Sequence, residues 1–258
     1  MAIQRTTTQS YPGTAFACWK QALAEKKFTA WLVVSVLYLV AMVLFLNRFL
    51  PFINRRSGIV LKDPLLKWLP AADLSIWIFT VIYLSILVTL AYLVNKPHLL
   101  LEGLVTMAIM YSVRVLTLYF VPLDPPAGYV RLSDPFILHF AYGGVPISRD
   151  LFFSGHTACM FILLLVVRKP LLKLFLAITL IAVMVMLLFQ HVHYSIDIAG
   201  ALIITPACWL LSKLLLRRMT VRRSSAPPVK MQPSDKDRNQ KTGPFETGQL
   251  NQNHMKRI

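Results

Sequence analysis

The stretch Phe28–Asn47, FTAWLVVSVLYLVAMVLFLN, carries no charge and is long enough as a helix to cross the roughly 30 Å of a bilayer's hydrocarbon core. Leu74–Asn95 repeats the pattern, again without a charge. Such blocks expect lipid as solvent, because a backbone in hydrocarbon must satisfy its polar groups within its own helix. Four more candidates follow. Leu99–Val121 carries Glu102 near its start and Arg114 well inside, Leu151–Val167 stops at Arg168-Lys169-Pro170, Leu174–Ile196 is longer, and Tyr194–Leu216 contains Asp197. The expected architecture is all-α, a polytopic membrane protein of six transmembrane helices. Residues 1–27 form a cytoplasmic segment, 28–216 the membrane domain, and 217–258 a basic tail.

Of the 258 residues, 56% are hydrophobic and 15% charged, which excludes a disordered chain and an ordinary soluble domain. The formal charge of +16 raises the question of nucleic acid, but its location answers it. Much of the excess flanks the apolar blocks, as at Lys20, Lys26, Lys27, Arg168, Lys169 and Lys173, or lies in the polar tail. The positive-inside bias and anionic headgroups account for it without a polynucleotide. With the N-terminus inside, Lys96 and the tail also fall on the cytoplasmic side, while Arg48, Arg55, Arg56, Lys62 and Lys67 in the first outer loop break the rule. The apolar run of the first block is too long for a signal peptide, and no cleavage pattern follows it. Cys18, Cys159 and Cys208 are far apart and imply no disulfide framework. The lack of any Asn-x-Ser/Thr acceptor points to a bacterial inner membrane.

Ionisable groups inside a bilayer are costly, so each one marks a candidate site. Here they fall at one depth. Arg114 lies about 10 Å along its helix from Val121, His156 begins the fourth block, His191 and His193 end the fifth, and Asp197 is one turn into the sixth. In Ser154-Gly155-His156-Thr157, Ser154 can cap a helix, Gly155 lets the backbone approach a ligand, and the free N–H groups favour an anion. Four residues separate His193 from Asp197, so the carboxylate can accept from one ring nitrogen and aim the other outward, as a nucleophile or base requires. Tyr111 and Thr117 share a helical face with Arg114, whose guanidinium can clamp a phosphodiester. Glu102 is about 18 Å along the helix from Arg114, too far to pair with it, which leaves Asp150. A three-imidazole metal site of His156, His191 and His193 carries little weight, since phosphoryl transfer through histidine needs no metal.

Asp150-Leu151-Phe152-Phe153-Ser154-Gly155-His156-Thr157 and His191-Val192-His193-Tyr194-Ser195-Ile196-Asp197 resemble the two signature motifs of the sphingomyelin synthase family. Met110-Tyr111 with Arg114, Thr117, Tyr119 and Pro122 resembles that family's third-helix motif. The resemblance spans residues 28 to 216 and implies a six-helix lipid phosphate phosphatase-like core, an active site on the non-cytoplasmic face, and no metal or cofactor. It also implies that His193 is the nucleophile, Asp197 its orienting partner, and His156 the acid and base. Arg114, Ser154, Gly155, Tyr111, Thr117, Asp150, Tyr194 and His191 are the expected substrate-binding residues. The partners it implies are a phospholipid donor and a lipid alcohol such as ceramide.

Two departures bear on the headgroup. Ser148-Arg149-Asp150 stands where that family has Cys-Gly-Asp, and Val192 stands where it often has an acid, so both are expected to make the site less negative. The phosphatase branch would instead show Lys-x6-Arg-Pro and a Ser-Arg pair where Met186 and Leu187 stand. The rival readings are a phosphatase or phospholipase C with water as acceptor, and a noncatalytic lipid-binding or transport protein.

Overall fold

The computed structural model describes residues 14–134 and 147–221, and among them the fold is all-α. The expectations for the basic tail beyond residue 221 and for the first thirteen residues lie outside the described residues. The helices are α1 (Ala15–Ala24), α2 (Lys26–Arg55), α3 (Ser75–Leu93), α4 (Pro97–Phe120), α5 (Gly155–Val166), α6 (Pro170–Phe189) and α7 (Ser195–Val221). Five of them, α2, α3, α4, α6 and α7, are long and apolar enough to cross a membrane. The protein is an integral membrane protein by that measure.

At the fourth place of the expected six stands a shorter apolar helix. The helix there has 12 residues, about 18 Å of rise, because residues 150–154 run up to Ser154 in non-helical conformation before α5 begins. It tolerates being short because it lies among protein, touching α3, α4 and α6. Its Ala158, Ile162 and Val166 pack with Leu93, Met110, Ala201 and Cys208, while its Met160 packs with Ile78, Ile82, Leu180, Val183 and Leu187. Buried side chains from α3, α4, α6 and α7 thus surround one short helix.

The first span also differs. Instead of stopping at Asn47 the helix continues to Arg55, with Pro51 inside its last turns. A charged flank ends the hydrophobic stretch but not the hydrogen-bond ladder, so Arg48 is helical rather than part of a loop. The short helix α1, not foreseen in the sequence, buries Cys18 and Ala22, and its Trp19 Nε1 donates to Val94 O at 2.8 Å.

Several intramembrane polar groups pair across helices. Thr106 and Ser212 hydroxyls join α4 to α7 at 2.8 Å, and Tyr38 and Ser112 join α2 to α4 at 2.7 Å. Glu102 accepts from Arg168 Nη2 at 3.0 Å and from Trp209 Nε1 at 2.5 Å, so it belongs to the end of the bundle away from Arg114.

Helix α6 ends through His191, whose φ of 52° lies in the left-handed region that terminates helices and that non-glycine residues seldom adopt. The backbone N–H groups of Gln190, His191 and Val192 fold back onto Met186 O, Leu188 O and Leu187 O. The ring is spent on two loops, with Nδ1 at 2.9 Å from Ala127 O and Nε2 at 3.1 Å from Leu69 O. His191→Ala is expected to lower stability by about 1–3 kcal/mol through the lost ring bonds. Thermal unfolding in detergent, beside turnover per folded molecule, should show the first falling and the second nearly unchanged.

Candidate active site

The C-terminal half of α4 supplies Arg114, which is only 5% exposed. A buried guanidinium requires a counter-charge, and Asp150 provides it: Arg114 Nη2 donates to Asp150 Oδ1 at 2.6 Å. Its Nη1 is buried with no hydrogen-bond partner among the described residues. One turn further along, Thr117 Oγ1 donates to Phe152 O at 3.2 Å, tying α4 to the residues that lead into α5.

Helix α5 starts at that junction. Ser154 is its N-cap, and Ser154 Oγ accepts from Thr157 N at 3.4 Å and from Thr157 Oγ1 at 3.1 Å. Gly155 comes next, and its lack of a side chain leaves room for Arg114. A Cβ there would stand 3.1 Å from Arg114 Cζ and 3.2 Å from its Nε, so the guanidinium lies directly against the first turn of α5. Close approach by a protein side chain, rather than by a ligand alone, explains this glycine.

Helix α7 starts at the same place. Ser154 N donates to Asp197 O at 3.1 Å, joining the two motif turns through their backbones. His193 Nδ1 lies 3.3 Å from Asp197 Oδ2, which also accepts from Tyr194 N at 2.9 Å. Asp197 is fully buried, and its Oδ1 has no hydrogen-bond partner among the described residues. The His156 and His193 rings face one another with centroids 6.5 Å apart and planes inclined by 62°. Phe79 on α3 closes the far side of His156, edge to face at 5.8 Å.

Two imidazoles, a carboxylate behind one of them, a guanidinium with an unpaired donor and two helix N-termini therefore meet at one point. That arrangement can hold a tetrahedral phosphoryl group: positive ends and N–H donors suit its oxygens, and two ring nitrogens can approach from opposite sides. Among the described residues no group of three or more His, Cys, Asp or Glu is placed to hold a metal ion.

Three expected contributors are elsewhere. His191, the third imidazole, serves the turn described above. Tyr194 is buried and its hydroxyl is spent on the outer loops, donating to Asp124 O at 2.8 Å and accepting from Leu61 N at 3.1 Å. Tyr111 lies one turn deeper, with its hydroxyl 4.0 Å from Cys159 Sγ. The two departures near the headgroup also fall away from the site. Arg149 pairs with Asp124 and its Nη1 donates to Asn54 O at 2.5 Å, while Val192 packs in the core beside Leu187 and Met160. Their expected effect on the charge of the site is therefore corrected, since Arg149 is neutralised at the end of α2 and Val192 faces apolar neighbours.

Several residues near the site escaped notice. Asp63 accepts from Ser195, and Gln190 Nε2 donates to Ser75 Oγ at 2.7 Å while its Oε1 accepts from Leu74 N at 3.1 Å. The only local signal was Asp63-Pro64, a pair that favours turns.

Residues 149–214 match the family model described as PAP2 superfamily C-terminal. The matched segment contains Asp150, Ser154, Gly155, His156, His193 and Asp197. Over that segment, 66 of the 258 residues, the chain is similar to that family. No curated protein matches the chain.

Gly155→Ala provides a direct test of the Arg114 contact. The added methyl group should push the guanidinium a few tenths of an ångström off α5 and reduce turnover on the order of tenfold, with thermal stability nearly unchanged. Initial rates beside a melting curve measure both.

Proposed function

We propose that this protein is a lipid phosphotransferase. It moves a phosphocholine or phosphoethanolamine headgroup from a glycerophospholipid to ceramide or a related lipid alcohol. The observation that carries the reading is the facing pair of His156 and His193, with Asp197 behind the latter. The resemblance of both motifs to the sphingomyelin synthase family supports it further.

With Nδ1 turned to Asp197, Nε2 of His193 is the free nucleophile. Its lone pair attacks phosphorus, the bond to the diacylglycerol oxygen breaks, and His156 delivers a proton to that oxygen. Diacylglycerol leaves and the headgroup phosphate stays on His193 as a phosphoramidate. The acceptor hydroxyl then gives its proton to His156 and attacks phosphorus, the P–N bond breaks, and His193 is regenerated. Arg114 and the N–H groups at the start of α5 hold the nonbridging oxygens throughout, where charge develops. Asp150 keeps the guanidinium in place. Both lipids arrive laterally on the non-cytoplasmic side, into a site that limits water.

Labelled phosphatidylcholine and phosphatidylethanolamine, with and without ceramide, in bilayers containing the purified protein test the reaction. Headgroup label should appear in a new ceramide-derived lipid and vanish from it in His193→Ala. Soluble phosphate or headgroup released at the same rate with and without ceramide would instead assign water as the acceptor. Activity left intact by His193→Ala would rule out the histidine mechanism.

A further inference from the structure

Asp63 lies on the connection between α2 and α3, 134 positions before Asp197, yet it touches the first residue of α7. Ser195 N donates to its Oδ2 at 2.6 Å, and Ser195 Oγ lies 2.7 Å from Oδ2 and 2.9 Å from Oδ1. Leu65 N and Leu66 N donate to Oδ1 at 2.9 and 3.4 Å. Burial opposes ionisation there, but these bonds, those from Ser195 foremost, hold the carboxyl below the usual carboxylate range.

The consequence lies in what α7 lacks. A helix start leaves several N–H groups without partners inside the helix, and a side chain just before it normally takes one of them. Tyr194 occupies that place, and its hydroxyl is bound far away, to Asp124 O and Leu61 N. Asp197, three residues on, reaches back to Tyr194 N in the manner of half a capping box. The same oxygen, Oδ2, is the one that faces His193 Nδ1. One carboxylate therefore serves both the helix start and the imidazole. If Ser195 N–H had no acceptor, the unpartnered Oδ1 of Asp197 would be open to it, and turning the carboxylate to make that bond would draw Oδ2 away from His193 Nδ1.

We propose that Asp63 is a positioning residue for the His193–Asp197 pair: by taking Ser195 N–H from outside the helix, it leaves the Asp197 carboxylate to His193. The acceptor, not the charge alone, is the feature that matters. Asparagine at position 63 retains an oxygen that can accept from Ser195 N, and alanine does not. Proline fits the first position of a helix and has no N–H, so Ser195→Pro removes the competitor itself. The inference rests on the proposed role of His193 for its kinetic consequence, but its structural core can be read without turnover.

The test uses the full chain, labelled with 15N-histidine and held in phospholipid nanodiscs at fixed pH. His193 signals are assigned by their loss in His193→Ala. In the native protein the ring proton should sit on Nδ1. Asp63→Ala should shift the Nδ1–H to Nε2–H ratio about fivefold to tenfold toward Nε2–H. Asp63→Asn should stay near the native ratio, and Ser195→Pro should restore it in the Asp63→Ala background. Initial rates with phosphatidylcholine and fluorescent ceramide should show kcat falling on the order of a hundredfold in Asp63→Ala, with KM little changed. A native ratio in Asp63→Ala overturns the proposal, as does an asparagine variant displaced as far as alanine or a double variant left displaced. Absence of transfer in the native protein would count against the transferase reading and leave the tautomer comparison standing.

Discussion

A single backbone hydrogen bond, from Ser154 N to Asp197 O, holds the starts of two helices together, and the geometry of the candidate site depends on it. It joins residues that no periodicity relates and brings α5 and α7 to a common origin. Each helix start carries partial positive charge and N–H groups left over from its own ladder. Two such starts beside Arg114 make a region suited to an anion, and in the proposed mechanism the facing imidazoles add nucleophile and acid. Hydrophobic packing of α5 among α3, α4, α6 and α7 sets the approximate position, and this bond sets the register.

Around that junction the connections between helices act as a frame. Gln190 ties the end of α6 to the start of α3, Tyr194 reaches Leu61 and Asp124, and Arg149 spans Asp124 and Asn54. Every one of these side chains is polar in a chain otherwise made for lipid. Leaving such groups unpaired would cost more than pairing them gains, so the paired set defines one arrangement of loops over the site. Four buried side-chain atoms have no partner among the described residues, Thr89 Oγ1, Thr205 Oγ1, Arg114 Nη1 and Asp197 Oδ1, and the last two belong to the junction.

The sequence conveyed the membrane helices and the local motif spacings better than the contacts between distant segments. The uncharged blocks at Phe28 and Leu74 announce membrane helices because lipid allows few other ways to satisfy a backbone. The spacing of His193 and Asp197 is legible because helical neighbours recur every three to four residues. Short-range rules fail where a residue's partner is distant in the chain. His191 reads as a site residue beside His193, yet its left-handed backbone turns its ring toward Leu69 and Ala127. Arg149 reads as a charge on the site, yet Asp124 and Asn54 claim it. Gly155 reads as room for a ligand, and the room is filled by Arg114. The start of α5 is legible because Ser154 reads as a cap, although the apolar block begins four residues earlier, at residues 151–154 that are not helical.

Trapping the covalent intermediate tests the central claim most directly. The protein in bilayers is mixed with headgroup-labelled phosphatidylcholine or phosphatidylethanolamine without an acceptor, quenched in base, digested and mapped by mass spectrometry. An acid-labile, base-stable phosphoramidate on His193, with diacylglycerol released in equal amount and neither formed in His193→Ala, is the expected result. Label on another residue, or diacylglycerol formed with no phosphorylated histidine, would contradict a phosphohistidine mechanism.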